Sequence, residues 1–176
     1  MKTVWQLTLA MIIALTLTAC KTTPEAVPEP TPEPEPTTDV DTKAAPDPHD
    51  FTDSRNFDNP ESLLSKRVIY FDFDKSTVRP EYRGIVSAHA AYTAAHSSAR
   101  VTLEGHADER GTREYNLALG ERRANAAKDF LVALGISPGR IRVISFGKER
   151  PVALGHDEPS WRQNRRAVTL VAGPGS

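Results

Sequence analysis

Asp108 and Arg123 are the two side chains whose types and spacing point most directly to chemistry. Asp108 stands in the run Gly105-His106-Ala107-Asp108-Glu109-Arg110-Gly111-Thr112, between a strand-like segment and the strongest helical pattern in the chain. Gly111 allows a sharp, left-handed turn there. Asn116, Leu119 and Arg123 recur at spacings of three and four, so a helix carries them on one stripe. Arg123 lies about two turns beyond Asn116 and its long side chain can reach back to the turn that holds Asp108. A carboxylate can receive an ammonium, and a guanidinium grips a carboxylate through two parallel hydrogen bonds. One of each around a pocket would suit a zwitterion such as an amino acid. An internal Asp108–Arg123 salt bridge with no ligand is the competing reading, and the pattern leaves both open.

Other chemistries find less support. His106-x-Asp108 is at most half a metal site. His89 and His96, on one predicted helix, read as solvated or buried structural groups, because a metal wants three or four convergent ligands. Nucleophile elbows, phosphate-cradling loops and zinc-protease motifs are missing, so neither an enzyme nor a cofactor is expected. Residues 61–176 carry eighteen basic and thirteen acidic side chains. That excess is spread without aromatic interleaving, which argues against nucleic acid. Trp161 reads as a packing anchor.

The elements that must position these residues follow from periodicity. Val68 to Phe73 is β-branched and aromatic and reads as a strand. Pro80 suits a first helical turn, and a helix is predicted over 81–97. Val101 and Leu103 alternate with polar neighbours in a second strand, 100–105. Ala124, Ala127, Leu131 and Leu134 place a helix over 113–134, which Gly135 stops. Ile141, Val143 and Ser145 form a third strand ending at Gly147, a short turn surrounds Trp161, and 167–171 is a fourth strand. The fold class expected is α/β: a βαβαβ-type sandwich, a mixed four-stranded sheet with two long helices. With no cysteine beyond Cys20 the folded part depends on its hydrophobic core.

The N-terminus has a different character. Lys2 precedes an apolar stretch from Leu7 to Leu17, too short to span a bilayer, that ends in Leu17-Thr18-Ala19-Cys20. Residues 1–19 read as a signal peptide. Cys20 with its small neighbours resembles a bacterial lipobox, which implies cleavage before Cys20 and lipidation of that residue. Lys21, in place of an Asp, leans towards the outer membrane by the same analogy. Nine of the fourteen prolines fall between Pro24 and Pro60, and residues 21–60 hold ten acidic and three basic side chains. Residues 20–60 are therefore expected to be a lipidated cysteine and a disordered Pro/Glu-rich tether.

Four motifs together resemble the OmpA-like C-terminal domain, the peptidoglycan-binding module of Gram-negative envelopes. They are Tyr70-Phe71-Asp72-Phe73-Asp74, Gly105-His106-Ala107-Asp108-x-x-Gly111, Asn116-x-x-Leu119-x-x-x-Arg123-Ala124 and Asn164-Arg165-Arg166-Ala167-Val168. The resemblance covers residues 67–171 and makes 61–176 the peptidoglycan-binding domain. It implies that Asp108 and Arg123 face the charged groups of meso-diaminopimelate in an uncrosslinked stem peptide. Phe73 and Asp74 would stand beside that pocket, His106, Asn116 and Leu119 would line it, and Arg165 would add positive charge. On this reading Arg123→Ala abolishes binding while the domain still folds. The Ala107–Thr112 wording is nearest the family's lipoprotein branch. That implies TolB and other Tol proteins as partners, a lipid anchor in the outer membrane facing the periplasm, and a part in envelope integrity and division. The alternative is a lipoprotein of the same fold that anchors a secretion or motility machine to the wall.

Overall fold

Period-two alternation of apolar residues makes four strands: β1 (Val68–Tyr70), β2 (Arg100–His106), β3 (Ile141–Gly147) and β4 (Arg166–Ala172). The computed structural model describes residues 45–173; Cys20, the expected signal peptide and residues 20–44 of the expected tether lie outside them. The sheet order is β1-β4-β2-β3, with β2 and β3 parallel and the other pairs antiparallel. This is the mixed four-stranded sheet expected. Its helices are α1 (Arg83–Ala95), α2 (Arg113–Ala133) and α3 (Glu158–Asn164). Among the described residues no helix is long and apolar enough to cross a membrane.

One core joins Ile69 and Phe71 to Val86 and Ala90 of α1, Val101 and Leu103 of β2, and Ala124, Ala127 and Leu131 of α2. Odd-numbered residues of β2 thus face the helices. Even-numbered ones, His106 among them, face the opposite side of the sheet. Two glycines set how closely α2 approaches. A Cβ on Gly105 of β2 would collide with the carbonyl oxygen of Gly120, and one on Gly120 would collide with the Ser145 hydroxyl. Side-chain-free backbone on both elements seats α2 against the strand, which brings Asn116, Leu119 and Arg123 over the strand's end.

Four details differ from expectation. β1 stops at Tyr70 rather than Phe73, although the Phe71 amide still donates to the Arg165 carbonyl at 2.9 Å. Beyond it the chain turns, with the Lys75 amide donating to the Asp72 carbonyl and Asp74 left-handed at φ 55; aspartate tolerates that region better than most residues. The first predicted helix divides into a 3-10 turn at Pro80–Tyr82 and α1. A helix, α3, replaces the turn at Trp161, and Asp157 caps it by accepting from the Ser160 amide at 3.0 Å. Finally, the folded part begins before residue 61. Phe57 packs with Leu64, Ala88, Tyr92 and Ala99, and the buried Asn56 amide donates to the Asp47 and Asp50 carbonyls at 2.7 Å each. A phenylalanine in a polar, Pro-containing stretch supplied enough apolar surface to order it.

Candidate functional site

Thr112 opens α2 by accepting the Tyr115 amide on its hydroxyl at 3.2 Å. The Asn116 side chain then donates back to the Arg110 carbonyl at 2.8 Å, and Gly111 adopts φ 93. These contacts close the loop between β2 and α2 into a fixed rim. Behind it lies a cavity of about 230 Å³. Asp108, Asn116, Leu119 and Arg123 line it, together with Phe73 and Asp74 from the loop after β1 and Arg110, Gly111 and Tyr115 from the rim. Six of the eight site residues expected from sequence therefore meet in one place: Asp108, Arg123, Phe73, Asp74, Asn116 and Leu119.

Arg123 is fully buried. It donates Nε–H to the Lys75 carbonyl (2.9 Å), Nη1–H to the His106 carbonyl (2.8 Å) and Nη2–H to the Asp72 carbonyl (3.1 Å). Its guanidinium also lies 5.3 Å from the centre of the Phe71 ring. One cation thus ties the loop after β1 to the end of β2. Burial pushes its pKa down to about 10, with the Asp108 charge opposing the fall. It remains a cation at neutral pH. The internal Asp108–Arg123 salt bridge is not what holds these residues, because Asp108 pairs elsewhere. The expectation that Arg123→Ala leaves the fold intact also meets a physical objection, since three main-chain carbonyls, the buried one of His106 among them, depend on it.

Asp108, also buried, bonds Arg110 through both oxygens, Nε to Oδ1 at 3.2 Å and Nη2 to Oδ2 at 2.5 Å. Arg165 Nη1 approaches Oδ2 at 3.4 Å from behind. Burial raises the Asp108 carboxyl pKa. The hydrogen bonds and charge of Arg110, with the Arg165 bond, outweigh it, so the group titrates below the usual carboxylate range. Arg165 is buried and also bonds the Phe71 carbonyl (3.1 Å) and Glu158 (2.5 Å). Its charge lies beneath Asp108 as a support, not on the cavity wall where the sequence reading put it.

His106 departs from expectation. As an even-numbered residue of β2 its ring lies across the sheet from the cavity, stacked on Phe146 at 5.5 Å, and only its carbonyl serves the site. His89 Nε2 lies 3.2 Å from the Lys66 carbonyl and His96 Nδ1 3.0 Å from the Tyr92 carbonyl.

Two residues were missed. Tyr115 hydrogen-bonds Asp74 through its hydroxyl, linking α2 to the loop after β1. Its spacing of four from Leu119 placed it on the stripe already identified. Arg110 packs between the rings of Phe73 (4.1 Å) and Trp161 (4.0 Å). Trp161 is held in turn by donating Nε1–H to Glu109 at 2.7 Å. The Asp-x-Arg pairing was legible as a local turn contact. The aromatic faces come from elements far away in sequence and gave no signal.

Residues 70–165 match the OmpA family. A peptidoglycan-associated lipoprotein of Pseudomonas aeruginosa is 53% identical over 105 residues, which is 60% of this chain and 62% of that protein. One of Mesorhizobium japonicum is 52% identical over 108 residues, 61% of this chain and 64% of that protein. The chain thus spans just under two thirds of the length of these relatives. The crystal structure of the peptidoglycan-associated lipoprotein of Burkholderia pseudomallei superposes with a TM-score of 0.64 at 46% identity, covering 66% of this chain and 98% of that one. A family match over more than half of the chain, on the fold and cavity described, settles membership: this chain belongs to the OmpA family.

Proposed function

We propose that the domain is a binding module, not a catalyst, that grips peptidoglycan through the meso-diaminopimelate of an uncrosslinked stem peptide. The observation that carries this reading is the pairing of a buried carboxylate, Asp108, with a buried guanidinium, Arg123, on one cavity of amino-acid size. Asp108 would receive the ligand's ammonium. Three of the five N–H groups of Arg123 are spent on carbonyls, which leaves two for a carboxylate. The apolar wall of Phe73 and Leu119 suits the methylene chain between those charges.

The relatives named peptidoglycan-associated lipoprotein support the same target. By that likeness we place the protein in the outer membrane, anchored through lipid on Cys20 and facing the periplasm. Many such weak attachments along one wall would give firm retention. TolB and the other Tol proteins are the partners proposed, with envelope integrity and constriction during division as the role. Mass spectrometry of the mature N-terminus tests the anchor.

Calorimetry with two soluble stem peptides tests the ligand. A peptide ending in meso-diaminopimelate should bind, and the same peptide with lysine, which lacks the second carboxylate, should bind at least tenfold more weakly. Equal affinities would remove the carboxylate role of Arg123.

A further inference from the structure

Arg110 occupies the place that a ligand ammonium would need. Its guanidinium bonds both Asp108 oxygens, lies 4.1 Å from the Phe73 ring centre and 4.0 Å from that of Trp161, and has Glu158 at 3.9 Å. A carboxylate buried as deeply as Asp108 is costly without a cation beside it. Arg165 supplies one from behind but is fixed there by the Phe71 carbonyl and Glu158. Arg110 supplies the other from the cavity side, and a third of its side chain is exposed (33%). It is the cation that can leave.

We propose that Arg110 is a resident cation of the site, exchanged for the ligand's ammonium on Asp108 when peptide binds. This rests on the zwitterion reading above. The displaced guanidinium leaves the aromatic stack and moves towards Glu158 on α3, its other anionic neighbour. The exchange leaves Asp108 with a cation on its cavity side in both end states, and Arg165 stays beside it throughout. It also sets a selection rule, because a ligand without its own positive charge has nothing to offer in return for Arg110. The resident cation lowers apparent affinity by the fraction of molecules in which Asp108 is free. Trp161 reports the event, since its face loses a cation when the site fills.

The test is a calorimetric titration of the mature chain from Cys20 onward, in mild detergent, with the meso-diaminopimelate stem peptide. Wild type, Arg110→Ala and Arg110→Lys are compared, the lysine retaining charge without the fork or the stacking plane. Arg110→Ala should bind about three- to tenfold tighter than wild type, with Arg110→Lys between them. With residues 1–19 removed Trp161 is the one tryptophan left, and its emission should shift when the wild type saturates and stay constant in Arg110→Ala. If wild type binds and Arg110→Ala binds equally or more weakly, exchange is overturned and the zwitterion site survives. An unshifted Trp161 emission at wild-type saturation overturns exchange as well. If none of the three binds, the zwitterion reading falls and takes the exchange with it.

Discussion

A guanidinium with no solvent contact, satisfied by three backbone carbonyls rather than by a carboxylate, does two jobs at Arg123. It offers charge to the cavity and it fastens the loop after β1, through Asp72 and Lys75, to the end of β2. Removing it leaves the buried His106 acceptor without a partner and releases the part-buried Asp72 and Lys75 carbonyls. We expect Arg123→Ala to cost about 2–4 kcal/mol of unfolding free energy, read by denaturant titration. Arg123→Lys should lose somewhat less, because a lysine keeps the charge but cannot reproduce the planar fork. A loss below about 0.5 kcal/mol for Arg123→Ala would show that water replaces the bonds. Sequence spacing brought Arg123 towards Asp108 but could not reveal this anchoring, since its acceptors are main-chain atoms 48 and 51 residues earlier. His106 shows the opposite case. The motif placed it in the site, while strand alternation, readable from Val101 and Leu103, turns its ring to the other face.

Elements with a long, regular period were legible and irregular ones were not. α2 was evident because Ala124, Ala127 and Leu131 repeat over several turns, and the positive φ of Gly135 (92°) gives the stop its glycine requires. α3 has seven residues, too few to display a period, and only its Asp157 cap and Pro159 hint at a helix. β1 ended early because the Asp-rich turn and the hold of Arg123 on it outweighed the strand propensity of Phe73. The seating of α2 on β2 was also hidden, since a glycine pair has no periodic signature. It carries a firm expectation nonetheless. Gly120→Ala should cost about 1–3 kcal/mol, as the new methyl meets Ser145 and the Gly105 backbone inside a closed interface. Alanine normally favours a helix over glycine by up to about 1 kcal/mol, so a stabilised variant in thermal denaturation would mean the interface yields.

Across the whole molecule, two buried histidines link folding to pH. His89, on the buried face of α1, packs near Phe57, and His106 lies on the far face of the sheet. Burial lowers both pKa values from 6.5 to about 4, assisted at His106 by Arg166 and Arg150 and at His89 by Arg67, against the Lys66 carbonyl bond. Both are therefore neutral in the folded state at pH values where the unfolded chain has already protonated them. The unfolded state then binds more protons, so stability is greatest above the unfolded pKa of 6.5 and declines as pH falls towards 4. Each histidine should account for about 2 kcal/mol of loss between pH 7 and pH 5. The carboxylates with lowered pKa values, Asp108 and Glu158 among them, contribute mainly below that window. Denaturant unfolding at pH 7, 6 and 5 should thus show a slope that weakens by about half in His89→Gln or His106→Gln and largely disappears in the double variant. A slope preserved in the double variant would mean that these imidazoles gain protons without unfolding, through water or through Glu104, whose carboxylate lies 4.0 Å from His106.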